Sequence, residues 1–153
     1  MKSPRSQPTL SPDVAAYIAG LIDGEGTVTL TRLHANEQRR LVVSIANTER
    51  QLLEYVRVAF GAGKITSKKA YSERHSLSYC YAITSRQALS LLEQVLPFLR
   101  SYKRARAALA IRHYLGVTPR NGKYTPAILE RRQEFENIFL SMHANDCQEF
   151  TKP

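Results

Sequence analysis

Cysteine is scarce in this 153-residue sequence: Cys80 and Cys147 are the only two. Neither belongs to a CxxC pair, which excludes a disulfide framework and a zinc site built on cysteine alone. No run approaches the roughly 18 apolar residues that span a bilayer. The opening stretch MKSPRSQPTL has no apolar core of the kind a secretory signal carries. The expectation is a soluble, intracellular protein that is not secreted and has no membrane partner. Acidic residues are also in the minority, 13 against 22 Lys plus Arg, for a formal charge of +9. With 43% apolar residues, that charge does not mean disorder, which needs low hydrophobicity as well. The length suits one domain, and a basic single domain points to a polyanionic partner, nucleic acid first.

Local signals divide the chain into a tail over 1–10, a domain over 11–145 and a tail over 146–153. Ser11-Pro12-Asp13 opens a helix, with a capping oxygen, Pro at the first helical position and an acid in the first turn. It runs through Val14 to Ile22 and is expected to stop at Gly24 and Gly26. Thr27 to Leu33 alternates polar and apolar residues as a half-buried strand does, and Arg39 to Ala46 pairs with it. Thr48 and Gln51 fit a capping box before a helix that ends at Gly61. A second strand pair spans Gly63 to Ala70 and Leu77 to Thr84. Ser85 is expected to cap a helix closed by Pro97, Ser101 to open one ending near Gly116, and Thr125-Pro126 to open the last. The order is α-β-β-α-β-β-α with two further helices, an α+β chain.

Charge is uneven along this order. Arg32 to Arg74 carries nine basic and four acidic residues, and Arg100 to Lys123 seven basic and none acidic. From Val14 to Thr31 the only charges are Asp23 and Glu25. Two carboxylates at a helix C-terminus oppose its macrodipole at about 0.3–1 kcal/mol each. They either sit in water or pair with a cation, and a hard divalent ion such as Mg²⁺ suits carboxylate and carbonyl oxygens beside Gly24 and Gly26. The four histidines, at 34, 75, 113 and 143, show no ligand spacing, and Tyr102 and Tyr114 are spaced as core or interface residues.

Ile18-Ala19-Gly20-Leu21-Ile22-Asp23-Gly24-Glu25-Gly26 resembles the signature of the LAGLIDADG homing endonucleases, matching seven of nine positions if Glu is accepted for the second Asp. The departures are Ile18 for Leu and Gly24 for Ala. Ala46-Asn47-Thr48, Gly61-Ala62-Gly63-Lys64-Ile65 and Leu96-Pro97-Phe98-Leu99-Arg100 are similar to segments of the single-motif members, and the resemblance covers about residues 12 to 143. It implies the family's α+β fold with an antiparallel β saddle for DNA, and a site-specific endonuclease that cuts both strands of a long pseudo-palindromic target. It also implies Mg²⁺, with Mn²⁺ or Ca²⁺ able to substitute for binding, and no small-molecule cofactor. The metal ligands implied are Glu25 and the Gly24 carbonyl, with Asp23 supporting. One motif implies one catalytic carboxylate per chain, hence a homodimer packed through Ala16, Ala19, Gly20 and Asp23. The family's basic residue near the scissile phosphate is placed at Lys103, with Arg100 and Arg104 as alternatives. Asn47 either orders water near the metal or begins the following helix. The host is expected to be an organelle (chloroplast or mitochondrion) or a prokaryotic cytoplasm. A non-cleaving nucleic-acid-binding protein on the same scaffold, a splicing maturase or a regulator, is the alternative.

A β-ribbon fits the major groove. By strand alternation Thr27, Thr29, Thr31, Arg40, Ser44, Lys64, Thr66 and Lys68 belong to the DNA face, with Tyr79 and Tyr81 assigned to it on the last strand. Arg32, Arg39, Lys69, Arg74, Arg120 and Lys123 are expected on phosphates.

Overall fold

The computed structural model describes residues 7–68 and 77–144. The expected order is observed: α1 (Pro12–Glu25), β1 (Gly26–Thr31), β2 (Arg40–Asn47), α2 (Arg50–Phe60), β3 (Lys64–Lys68), β4 (Ser78–Thr84), α3 (Ser85–Val95), a 3₁₀ turn (Leu96–Phe98), α4 (Lys103–Val117) and α5 (Pro126–Ser141). The strands form one antiparallel sheet in the order β1-β2-β4-β3.

Residue pairing fixes what each face of the sheet carries, because side chains alternate with period two. Val28 pairs with Val43, which pairs with Ile83, and Ile45 pairs with Tyr81, which pairs with Ile65. This face is covered by the helices. Its core includes Ile18 and Ile22 of α1, Leu53, Val56 and Phe60 of α2, Leu91, Leu92 and Val95 of α3, and Ala107 and Ala110 of α4. The opposite face pairs Thr27 with Ser44, Thr29 with Val42, Thr31 with Arg40, Lys64 with Ala82 and Thr66 with Cys80. Among the described residues no helix covers it with core residues, and its side chains are half-buried to exposed.

Several helix ends differ from expectation. α1 continues through Gly24 to Glu25, so both acids belong to its last turn. Gly26 then turns into β1 so tightly that a Cβ there would lie 2.7 Å from the Ile22 Cα and 3.0 Å from the Ser44 carbonyl oxygen. Only glycine permits this crossing of helix end and strand start. Thr48 does not cap α2; Glu49 holds that position, and its N–H donates to Asn47 Oδ1 at 2.8 Å. Ser85 is not a cap either but the first residue of α3, with φ +56°. Ser101 precedes α4 as expected, its carbonyl accepting from the Arg104 N–H, and α4 runs past Gly116 to Val117. Thr125 caps α5 as expected, accepting from the Ile128 N–H at 3.2 Å. Within the expected N-terminal tail, residues 8–10 are docked: the Leu10 N–H donates to Gln94 Oε1 and Gln94 Nε2 to the Pro8 carbonyl.

β1 is an edge strand, and two arginines satisfy its outer carbonyls. Arg106, only 6% exposed, donates to Val28 O at 2.8 Å and Met142 O at 3.0 Å, its guanidinium lying over the rings of Tyr102 and Phe139. Arg39 donates to Leu30 O. An edge covered this way is not open to pairing with another strand. Tyr114 is core, as its helical spacing suggested. No helix among the described residues is long and apolar enough to cross a membrane.

Candidate nucleic-acid interface and metal centre

The last turn of α1 brings three charged side chains into one small region and treats each differently. The Asp23 carboxylate accepts from the Arg100 N–H at 2.8 Å, the Ser101 N–H at 3.1 Å and the Ser101 hydroxyl at 2.5 Å. It thus ties the segment after Pro97 to the motif helix, and its oxygens are used within the chain. The structure thus gives Asp23, expected at a dimer interface, an intrachain bracing part. Lys103 is buried, and its Nζ donates to the carbonyls of Ile22 at 2.8 Å and Asp23 at 2.9 Å. A cation on these carbonyls offsets the negative end of the helix dipole. Burial pushes the Lys103 ammonium below the usual lysine range, and the nearby Asp23 charge opposes that shift. Among the three basic candidates, Lys103 alone is bonded to the motif helix by its side chain; Arg100 and Arg104 are exposed.

Glu25 remains. Its side chain is exposed, and among the described residues its carboxylate has no hydrogen bond or ion pair. The Gly24 carbonyl lies in the same turn, where the helix no longer supplies donors. A Cβ added at Gly20 or Gly24 would meet nothing within 4 Å among the described residues. These are hard oxygen donors beside open space, a set that fits Mg²⁺ or Ca²⁺. One chain supplies too few: no group of three or more His, Cys, Asp or Glu residues able to hold an ion occurs among the described residues. Asn47 ends β2 opposite Tyr79, and its Oδ1 is the acceptor that starts α2, consistent with the second of its two readings.

α1 buries Ala15, Ile18, Ala19 and Ile22 in the chain's own core. Ala19 therefore does not line the outer face, contrary to expectation. That face instead carries Ala16, Tyr17, Gly20 and Gly24, and Tyr17 meets Tyr55 of α2 edge-to-face at 5.4 Å.

On the open face of the sheet the register aligns Thr27, Thr29, Thr31, Arg40, Ser44, Lys64, Thr66 and Lys68. Tyr79 and Tyr81, expected on the DNA face, lie instead on the helix-covered face. Tyr81 is fully buried on the helix side, its hydroxyl donating to Ala62 O at 2.7 Å. Its ring fills the place of a side chain at Gly63, where φ is +106° and a Cβ would come within 2.4 Å. Burial pushes the phenol up to about 12, slightly opposed by Arg57. Tyr79 shares this face, with the Arg50 guanidinium 5.4 Å from its ring centre. Ser78, Cys80, Ala82 and Thr84 take the open face instead. Extending the alternation to Ile83 shows why: Tyr79, Tyr81 and Ile83 form the more apolar set.

Arg32 is exposed just beyond β1, and Arg120 and Lys123 are exposed in the connection from α4 to α5. Arg39 is partly committed to Leu30 O. Lys69 and Arg74 lie outside the described residues, as do His75 and Cys147.

Residues 12–97 match the LAGLIDADG-like domain. No curated protein matches the sequence. Among solved structures, the homing endonuclease I-CvuI in complex with its target in the presence of Ca is similar with a TM-score of 0.69 at 18% identity, over 86% of this chain and 83% of that one. The archaeal intron-encoded homing endonuclease I-Vdi141I, complexed with DNA, is similar with a TM-score of 0.56 at 18% identity, over 84% and 83%. The LAGLIDADG homing endonuclease I-GzeII, in complex with its DNA target, gives 0.59 at 15% identity, over 93% of this chain but 49% of that one. With the motif on a helix that ends at the sheet, four antiparallel strands and a family match over more than half its length, the chain belongs to the LAGLIDADG family and has the homing endonuclease fold.

Proposed function

We propose that the protein is a site-specific, divalent-metal-dependent DNA endonuclease that acts as a homodimer on a long, roughly palindromic target. The observation that carries this reading is the division of labour on α1: Asp23 is consumed inside the chain, while the Glu25 carboxylate beside it is exposed and unpaired among the described residues. Glu25 and the Gly24 carbonyl of each copy would hold Mg²⁺. When bound, the ion lowers the pKa of water and stabilises charge on the scissile phosphate and its leaving oxygen. The chain's own part is positional. Lys103 fixes the carbonyls of the last turn, and Asp23 fixes the start of α4 against it, so Glu25 projects from a braced helix end.

The dimer is supported by two exposed glycines inside a helix. Each costs about 1 kcal/mol relative to Ala, and nothing among the described residues approaches a Cβ placed at Gly20 or Gly24. Close approach of a second α1 gives that cost a reason, and it brings two Glu25 side chains together. The open sheet face offers hydroxyls and basic groups at alternate positions, as a groove-reading ribbon requires.

The test uses the protein, Mg²⁺ and a plasmid carrying the uninterrupted form of the gene's own insertion site. Linear plasmid is the expected product. Glu25→Gln should abolish it while leaving DNA binding nearly intact. Full cleavage by that variant removes Glu25 from the metal site, and tight binding by the unaltered protein without nicking makes it a binding protein.

A further inference from the structure

A recess of about 810 Å³ opens at the end of the sheet remote from Glu25. Five arginines line it, Arg39, Arg40, Arg86, Arg120 and Arg132, and no carboxylate does. Among the described residues only Arg132 has an acidic partner, Glu136 at 3.5 Å, and its guanidinium also donates to the carbonyls of Val117 and Arg39 and to the Tyr124 hydroxyl, so the other four carry the available charge. Arg86 donates to the Thr118 carbonyl at 3.0 Å and Arg39 to the Leu30 carbonyl, so both are held in place by dipoles that leave their charge uncompensated. Arg40 and Arg120 are exposed, with no hydrogen bond or ion pair among the described residues. The first turn of α3 also lines the recess. Its N-terminus has no side-chain cap, and Ser85 adopts the left-handed conformation there at φ +56°. Converging guanidinium groups and an uncapped helix N-terminus in a concave site favour a multiply charged oxyanion, above all phosphate.

Position narrows the source of that phosphate. Arg40 stands opposite Thr31 and Thr84 opposite Val42, both on the open face. Gly26, next to Glu25, begins the same β1 strand that Thr31 ends, so about 17 Å of strand separates the two ends. We infer that the recess binds backbone phosphate of the duplex roughly five base pairs outward from the catalytic carboxylate, beyond the bases that the sheet reads. This rests on the DNA-binding part of the function proposed above, and it adds Arg86 and the α3 N-terminus to the residues that meet DNA.

The test measures the salt dependence of binding to a 30-base-pair mixed-sequence duplex by anisotropy, without Mg²⁺. Each lost phosphate contact lowers the slope of log K against log salt by about 0.9. Arg86→Gln/Arg120→Gln should therefore lower it by about 2 per protomer, and Arg120→Gln alone, which breaks no internal bond among the described residues, by about 1. The control pair Arg112→Gln/Arg131→Gln, in the groove between α4 and α5, removes the same net charge and should leave the slope unchanged. Unchanged slopes in the recess variants, or equal losses in the control, overturn the inference. So does binding of inorganic pyrophosphate that the recess variants abolish while the duplex slope stays fixed, because the site then serves a free phosphate compound. Failure of the unaltered protein to bind any duplex removes the endonuclease reading and this one together. Cleavage with unmoved slopes removes only this one.

Discussion

Replacing Asp23 by alanine removes the acceptor of three hydrogen bonds, from the Arg100 N–H, the Ser101 N–H and the Ser101 hydroxyl. The site is only partly buried, so each bond is worth about 1 kcal/mol net rather than the 1.5–3 of a well-buried charged one. Against that loss of roughly 3 kcal/mol stands relief of a carboxylate at the negative end of a helix dipole, about 0.3–1 kcal/mol. The expected net destabilisation is about 2–2.7 kcal/mol, a fall in Tm of roughly 4–11 °C for a chain of this size. Glu25→Gln, two residues on, makes the opposite forecast. No bond is lost among the described residues, and only the dipole term changes, so Tm should rise by roughly 1–3 °C at low ionic strength. Thermal melts of the three proteins at about pH 7, repeated in high salt to screen the dipole term, check both signs. Asp23→Ala melting with the unaltered protein, or Glu25→Gln falling as far as Asp23→Ala, would refute the division of roles between the two acids.

Two further outcomes are expected. Gly20→Leu places a side chain where the described residues leave nothing within 4 Å of a Cβ, so the folded monomer should gain about 1 kcal/mol from helix propensity while the proposed dimer is blocked; sedimentation together with a urea melt reads both, and an intact dimer counts against the interface. The Tyr81 phenol, pushed up to about 12 by burial, should cost stability as pH rises from about 10 towards 12. The unfolded chain releases that proton near pH 10 and the native chain does not, so the slope of stability with pH is negative there, amounting to on the order of 2 kcal/mol over the window. Tyr81→Phe lacks this term but also lacks the Ala62 hydrogen bond, so its deficit at about pH 8 should narrow by pH 11 in urea titrations. A constant deficit would show that the phenol is not buried as described.

Order, element type and the motif were legible from periodicity and turn chemistry, because Pro at N1, the alternating threonines and the 3.6-residue apolar stripes are local signals. Helix ends were less legible, since they depend on distant partners. Nothing near Gly24 announces that Lys103, eighty residues on, holds the Ile22 and Asp23 carbonyls and lets the helix continue to Glu25. The same holds for Asp23, whose three donors lie after Pro97. Arg106 counted only as charge in a basic run, whereas the fold buries it against the edge of β1. The face of the β4 tyrosines is not legible locally, because a strand with tyrosine on one side and Ser, Cys and Ala on the other presents no clear polar side; packing against Gly63 decides it.

The end of α1 also sets a constraint on any partner. Backbone carbonyls, Asp23 and Glu25 all concentrate negative charge there, in a chain whose total is +9. Lys103 and the donors after Pro97 answer the carbonyls and Asp23, and the buried Lys103 cannot also reach outward to Glu25 without leaving the two carbonyls it holds. Glu25 is therefore the one acid of the turn that the chain does not balance among its described contacts. In the proposed dimer this imbalance doubles, as two such carboxylates approach across helices whose outer faces carry no cation between Asp13 and Glu25. Like charges at close range raise each other's pKa or call in a cation. In the proposed dimer a divalent ion would resolve both at once, and it would make assembly of the paired helix ends and readiness for phosphodiester chemistry two consequences of a single binding event.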